Sequence, residues 1–393
     1  MCTSYLFQLH LVVKMVCRMA LVAGTAATLA AAVYVMRRYR HKLATSCPGR
    51  TYAASFQQTM LRIKDPAKTI PFYEKHFGMK LVHRYDFPQY KFSLYFMERP
   101  REQDVAKLPP AGTRESEQYL WSMPGTTLEL THNHGSESDP TFSVWSGNSG
   151  RDVPESSPLH MKDGPIRGFG HIAFNVPDVY AISESLEASG VRFQKRPDEG
   201  RMKGLAFCLD PDGYWIELVK RAEPNPFPEP ANLSQTMMRI KDARATIRFY
   251  VDVMGMSLVR AMHVPNDFSN YFFACLTDEQ KATAPDPESP AARDFVKTLW
   301  QPVLEMTHNH GTEDDADFAV HTGNSEPVGF GHVGFLVDDL QACCDEMLAL
   351  GVPFHKKPRE GSMHSLAFAL DPSGYRVELV QRGASFAGVC SNF

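Results

Sequence analysis

Four residues able to hold a divalent ion recur in the same order in both halves of this 393-residue chain: Gln58, Glu129, His171 and Glu217, then Gln235, Glu305, His332 and Glu378. The logic is one of charge and hardness. Two carboxylates cancel the charge of a divalent cation, an amide oxygen and an imidazole complete four donors, and an octahedral ion keeps two positions for water or substrate. Oxygen donors without a thiolate describe an open catalytic centre, not a closed structural one. A solitary Gln or Glu on a strand is ordinarily a solvated surface residue; duplication of all four in order sets these apart. His132, His134, His308 and His310 are closer together in sequence, yet they sit beside Asn-x-Gly, where histidines serve turns, and His132 falls on the face opposite Glu129.

Longer blocks surround these residues. Gln-Thr-Met-x-Arg-Ile-Lys-Asp occurs at 58–65 and 235–242, Leu-Glu-x-Thr-His-Asn-His-Gly at 128–135 and 304–311. Gly-Phe-Gly-His follows at 168–171 and 329–332, and Asp-Pro-x-Gly-Tyr-x-x-Glu-Leu-Val at 210–219 and 371–380. The separation is 177 at Gln58, 176 at Glu129 and 161 at both His171 and Glu217, so one loop insertion, within 149–165, interrupts an internal duplication. Residues 53–222 and 230–383 are therefore expected to form two globular units, each long enough to bury a core.

Within each unit the pattern is a strand, a helix and several strands, twice over, which makes the fold class α+β with four βαβββ modules in the chain. Asp65-Pro66 marks a helix start and Gly78 its stop, with Pro71 breaking the pattern and suggesting a later start. Short strands are expected at 93–97 and 127–131, then 171–176, a helix from Asp178 to Gly190, and strands near 191–193, 205–209 and 215–219. Alternation puts Gln58, Met60 and Arg62 on one face, and likewise Glu129, Thr131 and Asn133.

A net charge of −4 with interspersed signs gives no basic field, so nucleic acid is excluded as a partner. The eight cysteines show no Cys-x-x-Cys spacing and read as reduced thiols. Residues 1–50 differ in kind: no acidic residue precedes Asp65, and 19–36 is an uncharged apolar run followed by Arg37, Arg38, Arg40 and Lys42. That length is the lower limit for a membrane span, and the positive flank would keep the remainder on the cytosolic side. A mitochondrial or other organellar targeting peptide is the alternative.

The segments QQTMLRIKDP, LELTHNHG, RGFGHIAFNVPDVY, GRMKGLAF and DPDGYWIEL resemble glyoxalase I, the lactoylglutathione lyases of the vicinal oxygen chelate superfamily, in their fused two-unit form, over residues 53–383. The resemblance implies two tandem glyoxalase-like domains and two hybrid metal sites. One comprises Gln58, Glu129, His332 and Glu378, the other Gln235, Glu305, His171 and Glu217. It implies isomerisation of the methylglyoxal-glutathione hemithioacetal to S-lactoylglutathione, with Glu217 and Glu378 moving the proton and a divalent ion stabilising the enediolate. Zinc is the first choice, from the length of the loop 99–113; nickel, cobalt and manganese suit the same donors. Glutathione is the co-substrate, gripped at its glutamyl end by Arg62 and Asn133, or Arg239 and Asn309, with Arg167 from the other unit, while Lys195, Arg201 and Met202 match the stretch over the glycyl end. Fusion of the units implies a monomer.

The second unit departs from that pattern: Val328 answers Arg167, Ser362 answers Arg201 and Arg376 answers Trp215. All three changes fall in the site of Gln58, which is therefore expected to be the weaker. Iron dioxygenases of the same superfamily need a triad of two histidines and one carboxylate, and the first-strand position here is glutamine in both halves, Gln58 and Gln235. A thioester epimerase would not need the Arg and Asn grip, and a membrane-tethered binding protein would not turn over.

Overall fold

The computed structural model describes residues 46–148, 167–200 and 202–391. Four modules share one plan. The first has strand β1 (Ser55–Ile63), helix α1 (Pro66–Phe77), β2 (Lys80–Phe87), β3 (Phe92–Glu98) and β4 (Thr127–Asn133). The second has β5 (Phe169–Val176), α2 (Val179–Ala188), β6 (Phe193–Lys195), β7 (Leu205–Leu209) and β8 (Trp215–Lys220). The third has β9 (Asn232–Ile240), α3 (Ala243–Arg248), β10 (Ser257–His263), β11 (Phe268–Ala274) and β12 (Val303–Asn309). The fourth has β13 (Phe330–Val337), α4 (Leu340–Ala349), β14 (Phe354–Lys356), β15 (Leu366–Leu370) and β16 (Arg376–Gln381).

The helix of every module starts in the same way. An aspartate two residues past the strand, Asp65, Asp178, Asp242 or Asp339, accepts a hydrogen bond from a backbone N–H of the first turn. Such a cap contributes about 1 kcal/mol. Helix α1 does begin at Pro66, and Pro71 lies inside it, so the later start suggested by that proline is not found. One ladder bond is lost there; the cap at Asp65 and the left-handed Gly78 at φ 66° still bound the helix. Strand β2 was not anticipated, because a register shift between Leu81 and His83 interrupts its alternation.

Two eight-stranded sheets result, in the orders β14-β15-β16-β13-β1-β4-β3-β2 and β10-β11-β12-β9-β5-β8-β7-β6. The first module thus pairs with the fourth through antiparallel β1 and β13, and the second with the third through β5 and β9. The sequence repeats and the sheets do not coincide: each sheet takes one module from either repeat. Gln58, Met60 and Arg62 face one side of β1; Leu61 and Ile63 face the other and join an apolar core with Met238 and Ile240 of β9. Near the pseudo-twofold axis the Thr59 and Thr236 hydroxyls share a hydrogen bond of 2.6 Å. The phenylalanines of the two Gly-Phe-Gly-His blocks, Phe169 and Phe330, stack at 5.1 Å and 6°.

The first glycine of each block is required by close approach. A Cβ on Gly168 would lie 1.9 Å from the His321 carbonyl oxygen, and one on Gly329 would lie 2.1 Å from that of Trp145. These are the points where Gly168 bridges to His321 and Gly329 to Trp145. Gly168→Ala or Gly329→Ala is expected to cost about 3 kcal/mol or more, because backbone and not a flexible side chain must move. Urea unfolding midpoints equal to that of the parent protein would refute this.

The packed chain begins before residue 50. Ser46 Oγ donates to Glu346 at 2.6 Å, Tyr52 OH donates to the same carboxylate at 2.8 Å, and Gly49 lies against the Met254 carbonyl. The apolar run 19–36, the insertion 149–165 and Arg201 lie outside the described residues. Among the described residues no helix is long and apolar enough to cross a membrane. Cys47, Cys208, Cys275, Cys343, Cys344 and Cys390 are free thiols.

Candidate metal centres

Pairing of β1 with β13 sets Gln58 opposite Gly334 and Met60 opposite His332, while β4 places Glu129 beside Met60 and β16 places Glu378 beside Gly334. Four side chains from four strands therefore converge. Gln58 Nε2 donates to Glu129 at 2.7 Å and also to Glu378, and lies 3.1 Å from His332 Nε2. His332 Nε2 is 3.1 Å from an oxygen of Glu129 and 3.1 Å from one of Glu378. The second sheet repeats this. Gln235 Nε2 donates to Glu217 at 2.5 Å and to Glu305 at 2.8 Å, and His171 Nε2 lies 3.3 and 3.5 Å from those two carboxylates.

All eight residues are buried. In each centre the imidazole nitrogen and the two carboxylate oxygens lie within 4.8 Å of one another. Burial opposes a charge on His332, but Glu378 and Glu129 outweigh it and hold the imidazole up at about 9. His171 is held up at about 9 by Glu217 and Glu305 against the same penalty. Burial pushes Glu129 and Glu305 above the ordinary carboxylate range, with the neighbouring imidazoles pulling them back. The arrangement fits a divalent cation. The amide NH₂ of Gln58 bonds both carboxylates where a cation would, while its Oε1 is buried without a partner. Half a turn of that amide turns the orphaned oxygen inward and completes a set of three oxygens and one nitrogen.

Arg62 and Arg239 lie beside the centres, and both are heavily engaged. Arg62 donates to the carbonyls of Gly323, Gly329 and Phe330, each at 3.2 Å, and to Asn324 Oδ1 at 3.0 Å. Arg239 donates to the Phe169 carbonyl at 3.3 Å and to Asn148 Oδ1 at 3.0 Å. Burial, then the nearby Arg167, lowers Arg239 to about 10. Asn133 and Asn309 end β4 and β12, beyond the glutamates on the same face. Lys195 points its ammonium at loop carbonyls, 2.8 Å from Met202 O and 2.5 Å from Leu205 O, so it braces the loop; the Met202 side chain is exposed. Lys356 braces the equivalent loop through Met363 O and Leu366 O.

Asn148 and Asn324 were missed, although the repeated Gly-Asn-Ser at 147–149 and 323–325 carries the signal. Asn270 was missed too. Its amide donates to Glu305 at 2.5 Å and accepts from the Thr307 hydroxyl at 2.9 Å, whereas Leu94 occupies the same register opposite Thr131, whose hydroxyl is buried without a partner. The loop histidines serve their turns: His132 and His308 bond Glu137 and Glu313 at 2.8 and 2.7 Å, and His134 and His310 each lie 2.8 Å from a serine hydroxyl. A separate cavity of about 800 Å³ lies between the loops after β3 and β11, away from both centres.

Residues 55–218 and 232–379 each match the Glyoxalase/Bleomycin resistance protein/Dioxygenase superfamily. Glyoxalase I of Saccharomyces cerevisiae is 40% identical over 333 residues, 83% of this chain and 91% of the relative. The chain belongs to the glyoxalase I family. The lactoylglutathione lyase of Schizosaccharomyces pombe is 35% identical over 82% of this chain and 95% of its own length. The crystal structure of glyoxalase I from Zea mays shares the fold, with a TM-score of 0.57 at 24% identity over 85% of this chain and 94% of that one. Family membership makes the chain an enzyme of the lyase class, built from two glyoxalase units.

Proposed function

We propose that both centres isomerise the hemithioacetal of methylglyoxal and glutathione to S-lactoylglutathione. What carries the reading is that Gln, Glu, His and Glu, drawn from both repeats, meet in each sheet with a donor set that suits a divalent ion. Such an ion, when bound, supplies a Lewis acid next to the two neighbouring substrate oxygens. Glu378 in one centre and Glu217 in the other take the proton from C1 and return it to the adjacent carbon. The C1 hydroxyl proton passes to the former ketone oxygen, so that the thioester carbonyl forms at C1 as the hydroxyl forms on the adjacent carbon. The product has the atoms and electrons of the substrate, so no redox cofactor is needed. Phe368 and Phe207 pack against His332 and His171 at 5.3 and 5.4 Å and keep the imidazoles in place. The gripping roles of Arg62 with Asn133, Arg239 with Asn309 and Arg167 rest on their places around the centres; Lys195 and Met202, with Arg201, belong to the loop proposed to cover the glycyl end. Zinc is the proposed ion. Each centre is complete within one chain, which supports a monomer.

The test is direct. Purified protein given methylglyoxal and glutathione should release S-lactoylglutathione, read from the thioester absorbance and confirmed by mass. An epimerase of the same fold would instead leave that mixture unchanged and invert a preformed thioester.

Residues 1–45 are proposed to direct the protein to a membrane with its centres in the cytosol, the apolar run 19–36 being the supporting feature. A protein beginning at Ser46, which keeps the contacts with Glu346 and Met254, is expected to retain the turnover of the full chain. The full chain should sediment with membranes from a lysate. Recovery of the uncleaved full chain in the supernatant would remove the anchor from consideration.

A further inference from the structure

The centre of Gln58 does not lack its second cation, because the structure brings one in from another strand. In the sister centre the guanidinium pair is Arg239 and Arg167: Arg239 is anchored on Asn148 Oδ1, and Arg167 lies close enough to lower it further. Val328 occupies the Arg167 position without its charge. The backbone task there is unchanged, since Val328 O accepts from Trp145 N at 2.8 Å just as Arg167 O accepts from His321 N at 3.2 Å. Arg376, first residue of β16 and level with His332 in the sheet, points instead toward Arg62. Its Nη1 lies 3.4 Å from Asn324 Oδ1, the oxygen that also accepts from Arg62 Nη2 at 3.0 Å. At the equivalent position of the sister centre stands Trp215, which packs on Phe207 at 5.3 Å and brings no charge.

Arg62 and Arg376 are both partly buried, and neither forms an ion pair with a carboxylate among the described residues. Two like charges meeting at one amide oxygen repel each other unless an anion joins them. Resting on the function proposed above, we infer that Arg376 replaces Arg167 in the Gln58 centre and, with Arg62, binds a carboxylate at the glutamyl end of glutathione. The charge has moved from the residue before β13 to the start of β16, and the two centres are matched in affinity by different residues. Hydrogen bonds between guanidinium and carboxylate are charge-assisted, and one such contact is worth about tenfold or more in affinity.

Calorimetry on the metal-loaded full chain tests this with S-hexylglutathione, and with S-hexyl-cysteinylglycine, which lacks the glutamyl residue. The parent protein should bind two equivalents of S-hexylglutathione with similar affinity. In Arg376→Trp, the residue its sister strand carries, one equivalent should weaken at least tenfold while the other is unchanged. Adding Val328→Arg should restore it. Arg376→Gln should behave as Arg376→Trp if the tryptophan is poorly accommodated. Affinity for the truncated probe should not respond to any of these changes. Two unaltered equivalents in both Arg376 variants would overturn the inference while leaving the proposed reaction standing. Failure of the parent protein to bind S-hexylglutathione at all would overturn the proposed reaction, and the inference with it.

Discussion

Glu129→Gln combined with Glu217→Gln should silence both centres, whereas Glu129→Gln combined with Glu378→Gln should leave one working at about half the total activity. The expectation follows from strand pairing. Glu129 and Glu378 flank one imidazole, His332, at 3.1 Å each, while Glu217 sits beside His171 in the other sheet. Glutamine keeps the size of glutamate but removes a negative ligand and a proton acceptor, and loss of a general base costs roughly 10² to 10⁴ in rate. Distant sites behave additively, so the two double variants contain equal numbers of changes and differ only in how these are distributed. Equal residual activity in the two would mean that the centres are not assembled across the repeats.

Removal of metal should have the second large effect, and on two observables. Activity should fall to background after exhaustive chelation and return on adding two equivalents of a divalent ion per chain; zinc, nickel, cobalt and manganese should be compared for the recovered rate. The melting temperature should move with it. Each stripped centre leaves two buried carboxylates with a single imidazolium between them, and an ion present at a hundredfold excess over its dissociation constant stabilises the fold by about 2.7 kcal/mol per site. Ion binding must displace the proton held on His332 and His171, so uptake should release protons, which a weakly buffered titration detects. Full turnover by protein shown by elemental analysis to be metal-free would falsify the metal-dependent reading.

The block Asp-Pro-x-Gly-Tyr-x-x-Glu-Leu-Val shows how far the residues alone could be read. Its glutamate stood out as a candidate ligand by type and repetition. Its other members were not interpretable without neighbours: Asp210 accepts from the backbone of Asp212 and Tyr214 and from the Tyr73 hydroxyl, each at 2.9 Å, and Tyr214 OH reaches the Arg62 carbonyl in the other sheet at 3.0 Å. Asp371, Tyr250 and Tyr375 repeat the arrangement toward Arg239. The motif thus carries a candidate ligand and also clamps the arginine strands, and the clamp spans residues about 150 apart.

Duplication, the module plan and the eight candidate ligand residues were present in sequence because each depends on local chemistry: period-two alternation, an aspartate cap two residues past a strand, a donor type repeated in order. Which four of these residues gather was implied only by the family resemblance, and in the fold it depends on β1 pairing with β13 and β5 with β9, a choice among edges that no local pattern encodes. The expected weakness of the Gln58 centre had the same origin. Counting Arg167 against Val328 in a linear register records a lost charge, while a strand start nearly fifty residues onward sets Arg376 at the Asn324 amide oxygen that Arg62 also contacts. Electrostatics acts through distance in space, and only the packed sheets bring Arg376 and Arg62 together.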